Sequence, residues 1–486
     1  MKMKQQKSLG INAILNGLQS ILNLLFPLIT FPYVSRVLSV NGMGIYNFSN
    51  TYIGYFLLLA GLGINTYAVR EGTKYRDNKQ RISEFASQIF SINICSTLLA
   101  YILLVISLIL FKRLNIYSVC ILIFSIQILF TTLGINWLYI IYEDYAYITV
   151  RNIIFKIFSI ILLFIFVRKP NDFLVYAGIT VLASVGSNIL NFFHAKSFIN
   201  LNFTLKFSIW KHLKPILIIF ASAVGVSIYL YSDNTILGLI KGDYAVGLYS
   251  VATKIYKISE DVLSAVLTVT IPRLSMLYGK KMYEKYSKLL AKLFNLLLIF
   301  SLPATVGLAM LSKNIILIIA GEKYLQSSKA LSIISCAIIF SLFNWIISDC
   351  ILLPAKRENK LFITTFVTAI FNIIINMLLI PIWSYDAASL STVLSECFAM
   401  LMNAYCSRDI LAECNLSKDI FQNTLESIFG CIFIIIVCYL SKLLIDSLIV
   451  SLFVAVIISS LGYIIIMVLL KNSLIIYALE TIKGKL

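Results

Sequence analysis

Residues 116–138 read IYSVCILIFSIQILFTTLGINWL, a run without a single Asp, Glu, Lys or Arg. At helical rise, about 20 such residues cross the roughly 30 Å hydrocarbon layer of a bilayer. The stretch therefore predicts a membrane-spanning helix. Comparable runs extend from it in both directions. Toward the N-terminus they cover about 11–31, 43–63 and 83–110. Toward the C-terminus they cover about 148–167, 171–193, 213–232, 245–270, 288–311, 327–353, 361–381, 385–406, 422–441 and 446–470. Fourteen spans joined by short loops make an all-α integral membrane protein.

Composition agrees with that reading. Of 486 residues, 60% are hydrophobic and 13% charged, against about half apolar and a quarter charged in soluble domains. The net charge of +18 could signal nucleic acid, but no basic stripe with interleaved aromatics lies on a polar surface. The basic residues fall between apolar runs, as the positive-inside rule requires. With both termini in the cytoplasm and charges near span ends counted with the adjoining loops, that side collects 27 of the 40 Lys and Arg and the outer side 10; Lys156, Lys254 and Lys257 lie deeper within spans. The nine cysteines are scattered through apolar segments and read as packing residues. Lys2, Lys4 and Lys7 precede the first run with no small-residue cleavage site after it, so that run reads as a retained helix.

Sliding the sequence against itself by 203 residues sets Gly44-Ile45-Tyr46 on Gly247-Leu248-Tyr249 and Arg70 on Arg273. Six helices separate the copies, so the repeats are parallel, related by an axis along the membrane normal. Two six-helix bundles follow, residues 1–200 and 201–410, with two further spanning helices in 411–486. Such halves can rock about a central cavity, the geometry of alternating access.

Polar groups inside spans carry the functional information, since each is costly unless paired or facing a wet cavity. Asn12, Asn16, Gln19 and Asn23 share one face of the first helix; a hydrated lining and interhelical hydrogen bonding both account for them. Lys254, Lys257 and Asp261 share a face of the eighth, with Glu260 beside them. Two ammonium groups there would attract an anionic head group, whereas the alternative pairs Lys257 with Asp261 and packs Lys254 on a neighbour. Asp349, Glu396 and Asp233, which ends the seventh span, are candidates for proton or sodium coupling, with salt bridging or helix capping as the alternative. Arg36 at an outer helix end, and Arg70 and Arg273 at inner ends, sit where topogenic anchors sit. Pro27, Pro32, Pro272 and Pro303 are expected to bend helices. No phosphate loop, H-E-x-x-H or D-x-D pair occurs. His194 and His212, in or beside a basic inner loop, are expected to contact lipid head groups. No catalytic residue, metal site or cofactor is expected; without a nucleotide site, the energy would come from an ion gradient or the substrate gradient.

Four stretches carry a family resemblance: Phe31-Pro32-Tyr33-Val34-Ser35-Arg36-Val37-Leu38 with Gly42-Met43-Gly44-Ile45-Tyr46; Leu62 through Glu71; Tyr147-Ile148-Thr149-Val150-Arg151-Asn152 with Lys156; and Asp233 through Val246-Gly247-Leu248-Tyr249 and Ala252-Thr253-Lys254 to Ile271-Pro272-Arg273-Leu274-Ser275. In these the chain resembles the Wzx-type polysaccharide-repeat-unit flippases of the multidrug/oligosaccharidyl-lipid/polysaccharide exporter superfamily, whose fold is MATE-like. The resemblance implies movement of an undecaprenyl-pyrophosphate-linked oligosaccharide to the outer leaflet of a bacterial plasma membrane. It places Arg36, Lys156, Asp233, Lys254 and Arg273 where the family keeps polar or charged residues. The implied partners are the lipid-linked substrate, membrane lipids and, in surface-polysaccharide assembly, a polymerase and assembly proteins; nucleic acid is not among them. An ion-coupled drug exporter or lipid II flippase of the same superfamily, and a membrane polymerase or acyltransferase, stand as alternatives.

Overall fold

A computed structural model describes residue 17 and residues 25–196, 199–204, 209–414, 417–472 and 474–476. Among the described residues there is no strand. Twelve helices are long and apolar enough to cross a membrane, and α1, Leu25–Val37, is a shorter apolar helix. One of the twelve, Glu358–Cys406, is two spans in continuous succession: Ser384, with φ 52° and ψ −129°, breaks it three residues beyond Pro381. With that helix counted as two and the shorter α1 added, the described residues are consistent with about fourteen helices, the number of apolar runs.

The first unit, Met1–Gly247, continues from α1 through α2 (Val40–Gly61), α3 (Ile64–Gly72), α4 (Lys79–Leu110), α5 (Ser118–Gly134) and α6 (Asn136–Ile141) to α7 (Tyr145–Phe166), α8 (Phe173–Val185), α9 (Asn188–Ala195) and α10 (Ile209–Lys241). Its centre is α2, which packs against α4, α5, α8 and α10. Lipid tails are as apolar as leucine, so polar and small side chains lock these helices together. Asn93 and Ser96 of α4 both donate to the Ala60 carbonyl of α2, at 2.7 and 2.6 Å, and Thr97 bonds Thr132 at 2.6 Å. Leu98, Leu99, Ile102, Val105, Ile106 and Ile109 of α4 stay exposed, forming the apolar surface that hydrocarbon would wet. Ser39 and Asn78 cap α2 and α4 by accepting from first-turn amides.

The second unit, Leu248–Leu486, takes up most of α11 (Asp243–Gly279), then α12 (Tyr283–Met310), α13 (Ser312–Ile319), α14 (Ser327–Ser335), α15 (Ala337–Trp345) with a π turn over Ile346–Leu352, α16 (Glu358–Cys406), α17 (Arg408–Glu413), α18 (Ser417–Leu444) and α19 (Leu448–Leu469). The last two spans are fastened to it: α18 lies along α12 and against α19. Asn423 donates to Asn295 of α12 at 2.7 Å, and Asn472 donates to Asn423 and Glu426 at 2.6 Å each. Tyr463 of α19 reaches the Ile299 carbonyl at 2.8 Å.

Two helices outrun their apolar cores. Asp233 lies inside α10, which continues eight residues further to Lys241, so it does not end its helix. Arg273 lies inside α11, which passes through Pro272 to Gly279. A hydrophobic window closes at the first charges, whereas helix hydrogen bonding continues into the interface. Pro27, Pro32 and Pro303 likewise stand within helices, and Pro215 joins them.

Candidate functional site

A Cβ added to Gly44 would fall on the carbonyl oxygen of Asp243, and one added to Gly247 would fall on that of Val40. The offset of 203 converts one contact into the other, because Val40 and Asp243 are themselves counterparts. The segments therefore meet isologously, each glycine admitting the other's backbone. The repeated tyrosines also match: Tyr46 bonds Thr180 on the sixth span at 3.0 Å, and Tyr249 bonds Thr392 on the twelfth at 3.1 Å.

Downstream on α11 lies the charged face. Lys257 reaches Glu260 at 2.7 Å and Asp261 at 3.5 Å. The Glu260 side chain is 8% exposed and that of Lys257 53%. Lys254, half-buried one turn earlier, has no hydrogen bond and no ion pair within 4 Å among the described residues, and the Asp261 carboxylate acts on it only from further off. Glu260, Glu396 and Asp261 all act electrostatically on the Tyr256 hydroxyl. The second unit thus gathers Lys254, Lys257 and Glu396 around α11. Asp349 stands apart on the π turn, accepting from the Trp345 indole at 2.6 Å and from Ser348 at 3.1 Å. Arg273 is exposed.

In the first unit, Asp233 is buried on α10, close enough to act on Tyr55 of α2. Next to it Tyr55 bonds Thr235 at 3.1 Å and Asn234 bonds Thr51 at 3.4 Å. Lys156 is half-buried, its Nζ 5.7 Å from the centre of the Phe26 ring. Arg36 is exposed at the end of α1. Asn12, Asn16, Gln19 and Asn23 lie outside the described residues.

His212 does not meet lipid head groups. It is buried, bonded to the Tyr67 hydroxyl at 2.7 Å and the Gln88 side chain at 2.8 Å. Helix α10 begins earlier than its apolar run and carries His212 into the core around Tyr67, Phe85 and Trp137.

Sequence reasoning passes over Arg151, which counts there among the cytoplasmic charges. On α7, two turns from Tyr145, it is 6% exposed. Nη2 donates to Asn152 at 3.2 Å and Asn136 at 3.5 Å. Nε and Nη1 are buried with no partner among the described residues. Asn136 also accepts from Asn191 at 2.9 Å, and Tyr147 lies 5.8 Å from the guanidinium carbon, stacked on His194 with ring centres 4.4 Å apart. A charged residue seven positions into α7 and inside an apolar run is the signal that could have found it.

Two charged contacts lie outside the spans, one of a carboxylate with backbone amides and one between full charges. Asp172 accepts from the Arg168 and Lys169 amides at 2.9 and 2.7 Å, which holds its carboxyl below the usual range. Arg357, just before α16, forks onto Asp409 of α17, with Nη1 2.7 Å from Oδ1, and holds that carboxyl well below the usual range.

Residues 9–278 match the family described as "Polysaccharide biosynthesis protein", and residues 218–378 match one described as "MatE". The "Putative O-antigen transporter" of Shigella dysenteriae is 25% identical over 345 residues, 70% of this chain and 85% of that protein. The protein so named in Escherichia coli (strain K12) is 25% identical over 257 residues, 52% of this chain; the match spans 61% of that relative, less than two thirds of its length. Among solved structures, "Lipid II flippase MurJ, inward closed conformation" shares the fold with a TM-score of 0.72, covering 96% of this chain and 99% of its own at 17% identity.

Proposed function

Because the chain belongs to the polysaccharide biosynthesis protein family, we propose that it is a flippase for undecaprenyl-pyrophosphate-linked oligosaccharide repeat units. It moves them by alternating access from the cytoplasmic to the outer leaflet of a bacterial plasma membrane, for surface-polysaccharide assembly. Both termini lie in the cytoplasm.

Lys254 is the observation that carries the reading. An ammonium group inside a span with no hydrogen bond or ion pair among the described residues is costly unless it serves an anion or meets water. A pyrophosphate head group supplies the anion, and a hydrated passage supplies the water. The hydroxyl-rich head cannot be dragged through hydrocarbon, so side chains must shelter it while the polyprenyl tail stays in lipid. Arg36, Lys156, Lys257, Arg273 and the amides of the first helix are the further candidates for that lining. Asp233, Asp349 and Glu396 are the candidates for proton or sodium coupling, Glu396 foremost because it shares the surroundings of Tyr256 with Glu260 and Asp261. A polymerase acting on the delivered repeat unit would be the downstream partner.

The competing readings are an ion-coupled drug exporter or a lipid II flippase of the same superfamily. Gene deletion separates them. Under our reading, the deleted strain accumulates one lipid-linked oligosaccharide on the cytoplasmic leaflet and loses its surface polymer, and the intact gene restores both. A deletion strain with normal surface polysaccharide and raised drug sensitivity would favour the exporter.

A further inference from the structure

Arginine does not give up its proton in a protein, so burial cannot be answered by neutralisation. Arg151 is 94% removed from solvent, yet among the described residues no carboxylate lies within 4 Å of it, and two of its three nitrogens have no acceptor. A buried cation with unspent donors and no counter-charge is unfavourable unless the site is filled for part of the working cycle. Its surroundings are built: Asn136 and Asn152 fix Nη2, Asn191 fixes Asn136, and the Tyr147 ring, 5.8 Å from the guanidinium carbon, is itself stacked on the exposed His194.

We propose that Arg151 is a phosphoryl-anion subsite at the cytoplasmic end of α7, which receives a phosphate of the lipid-linked pyrophosphate once Tyr147 and His194 swing aside. This rests on the flippase reading and adds to it a station within the N-terminal unit. Guanidinium is well suited to such a site, because its planar donors match phosphate oxygens and it is more weakly hydrated than an ammonium. Neutral amide acceptors hold it in place without cancelling the charge an anion would need.

The test uses the full chain in nanodiscs of neutral lipid, titrated with inorganic pyrophosphate and, separately, with a polyprenyl pyrophosphate placed in the disc. Arg151→Gln is expected to weaken both about tenfold, the size of one charge-assisted hydrogen bond, and Arg151→Lys to weaken them less. Tyr147→Ala, which leaves the guanidinium intact, is expected to speed pyrophosphate association. Equal affinities with and without Arg151, or no pyrophosphate binding by the unaltered chain, would overturn the subsite. Dependence on Arg151 for inorganic pyrophosphate alone would overturn the assignment to lipid. Should Arg151→Gln fail to fold, unchanged binding in Arg151→Lys and unchanged association in Tyr147→Ala together decide against the subsite. The flippase reading is judged separately by complementation: a chain that complements, yet binds pyrophosphate without regard to Arg151, keeps that reading and ends this one.

Discussion

At the scale of single residues, the crossing of α2 and the start of α11 leaves no room for a methyl group. Gly44→Ala would drive a Cβ into the Asp243 carbonyl, which is backbone and cannot rotate away. Overpacking of this kind costs about 1–3 kcal/mol, and Gly247→Ala, the reciprocal change, should cost a similar amount. Thermal unfolding in detergent should show both variants with lowered midpoints; a midpoint equal to the unaltered chain's in either would mean that the segments do not meet as described. The pairing of Lys257 was open to sequence reading because spacings of three and four put its partners on one face. That Glu260 would be the nearer partner was not, since side-chain direction chooses between neighbours. Arg151 escapes notice in sequence because a charge near a predicted span end looks like any other topogenic arginine until its burial is known.

At the scale of elements, helix number and order could be read almost completely from run length, because only about twenty apolar residues satisfy a bilayer. Helix ends and breaks could not. Leu62 (φ 46°), Ile135 (φ 43°) and Ser384 interrupt spans from left-handed positions that a hydropathy window passes over, and the π turn bearing Asp349 leaves no trace in composition. The loop before α16 is held to α17 by Arg357 and Asp409. Since the folded pKa of Asp409 is depressed, the pair contributes stability that is present above the unfolded carboxyl value of about 3.9 and lost as pH falls through the folded value. Asp409 is largely exposed, so screening keeps the effect below about 1 kcal/mol. Asp409→Asn should therefore lower the unfolding midpoint slightly and equally from pH 6 to 8, with the difference shrinking only below about pH 4. A difference that vanished between pH 6 and 7 would assign the effect to another group.

At the scale of the whole molecule, the duplication visible in Gly44-Ile45-Tyr46 and Gly247-Leu248-Tyr249 is matched by reciprocal glycine contacts and by equivalent tyrosine-threonine bonds. In the sequence the last two helices look like an appendage. Asn295, Asn423, Glu426 and Asn472 tie them to α12. These residues are too far apart in the chain for any local pattern to link them. Asn12, Asn16, Gln19 and Asn23 remain a reading of sequence alone. The family supplies the expectation of a transported glycolipid, and Lys254 supplies the chemical reason within this chain.

The most direct test is transbilayer movement in proteoliposomes. A fluorescent undecaprenyl-pyrophosphate-linked oligosaccharide is placed in one leaflet, and its appearance in the other is followed with a quencher. The flippase reading expects movement well above that in protein-free vesicles, and a rate about tenfold lower for Lys254→Ala at equal reconstituted protein, the loss of one charge-assisted contact. Movement no faster than in protein-free vesicles, with the protein folded and correctly inserted, would contradict it.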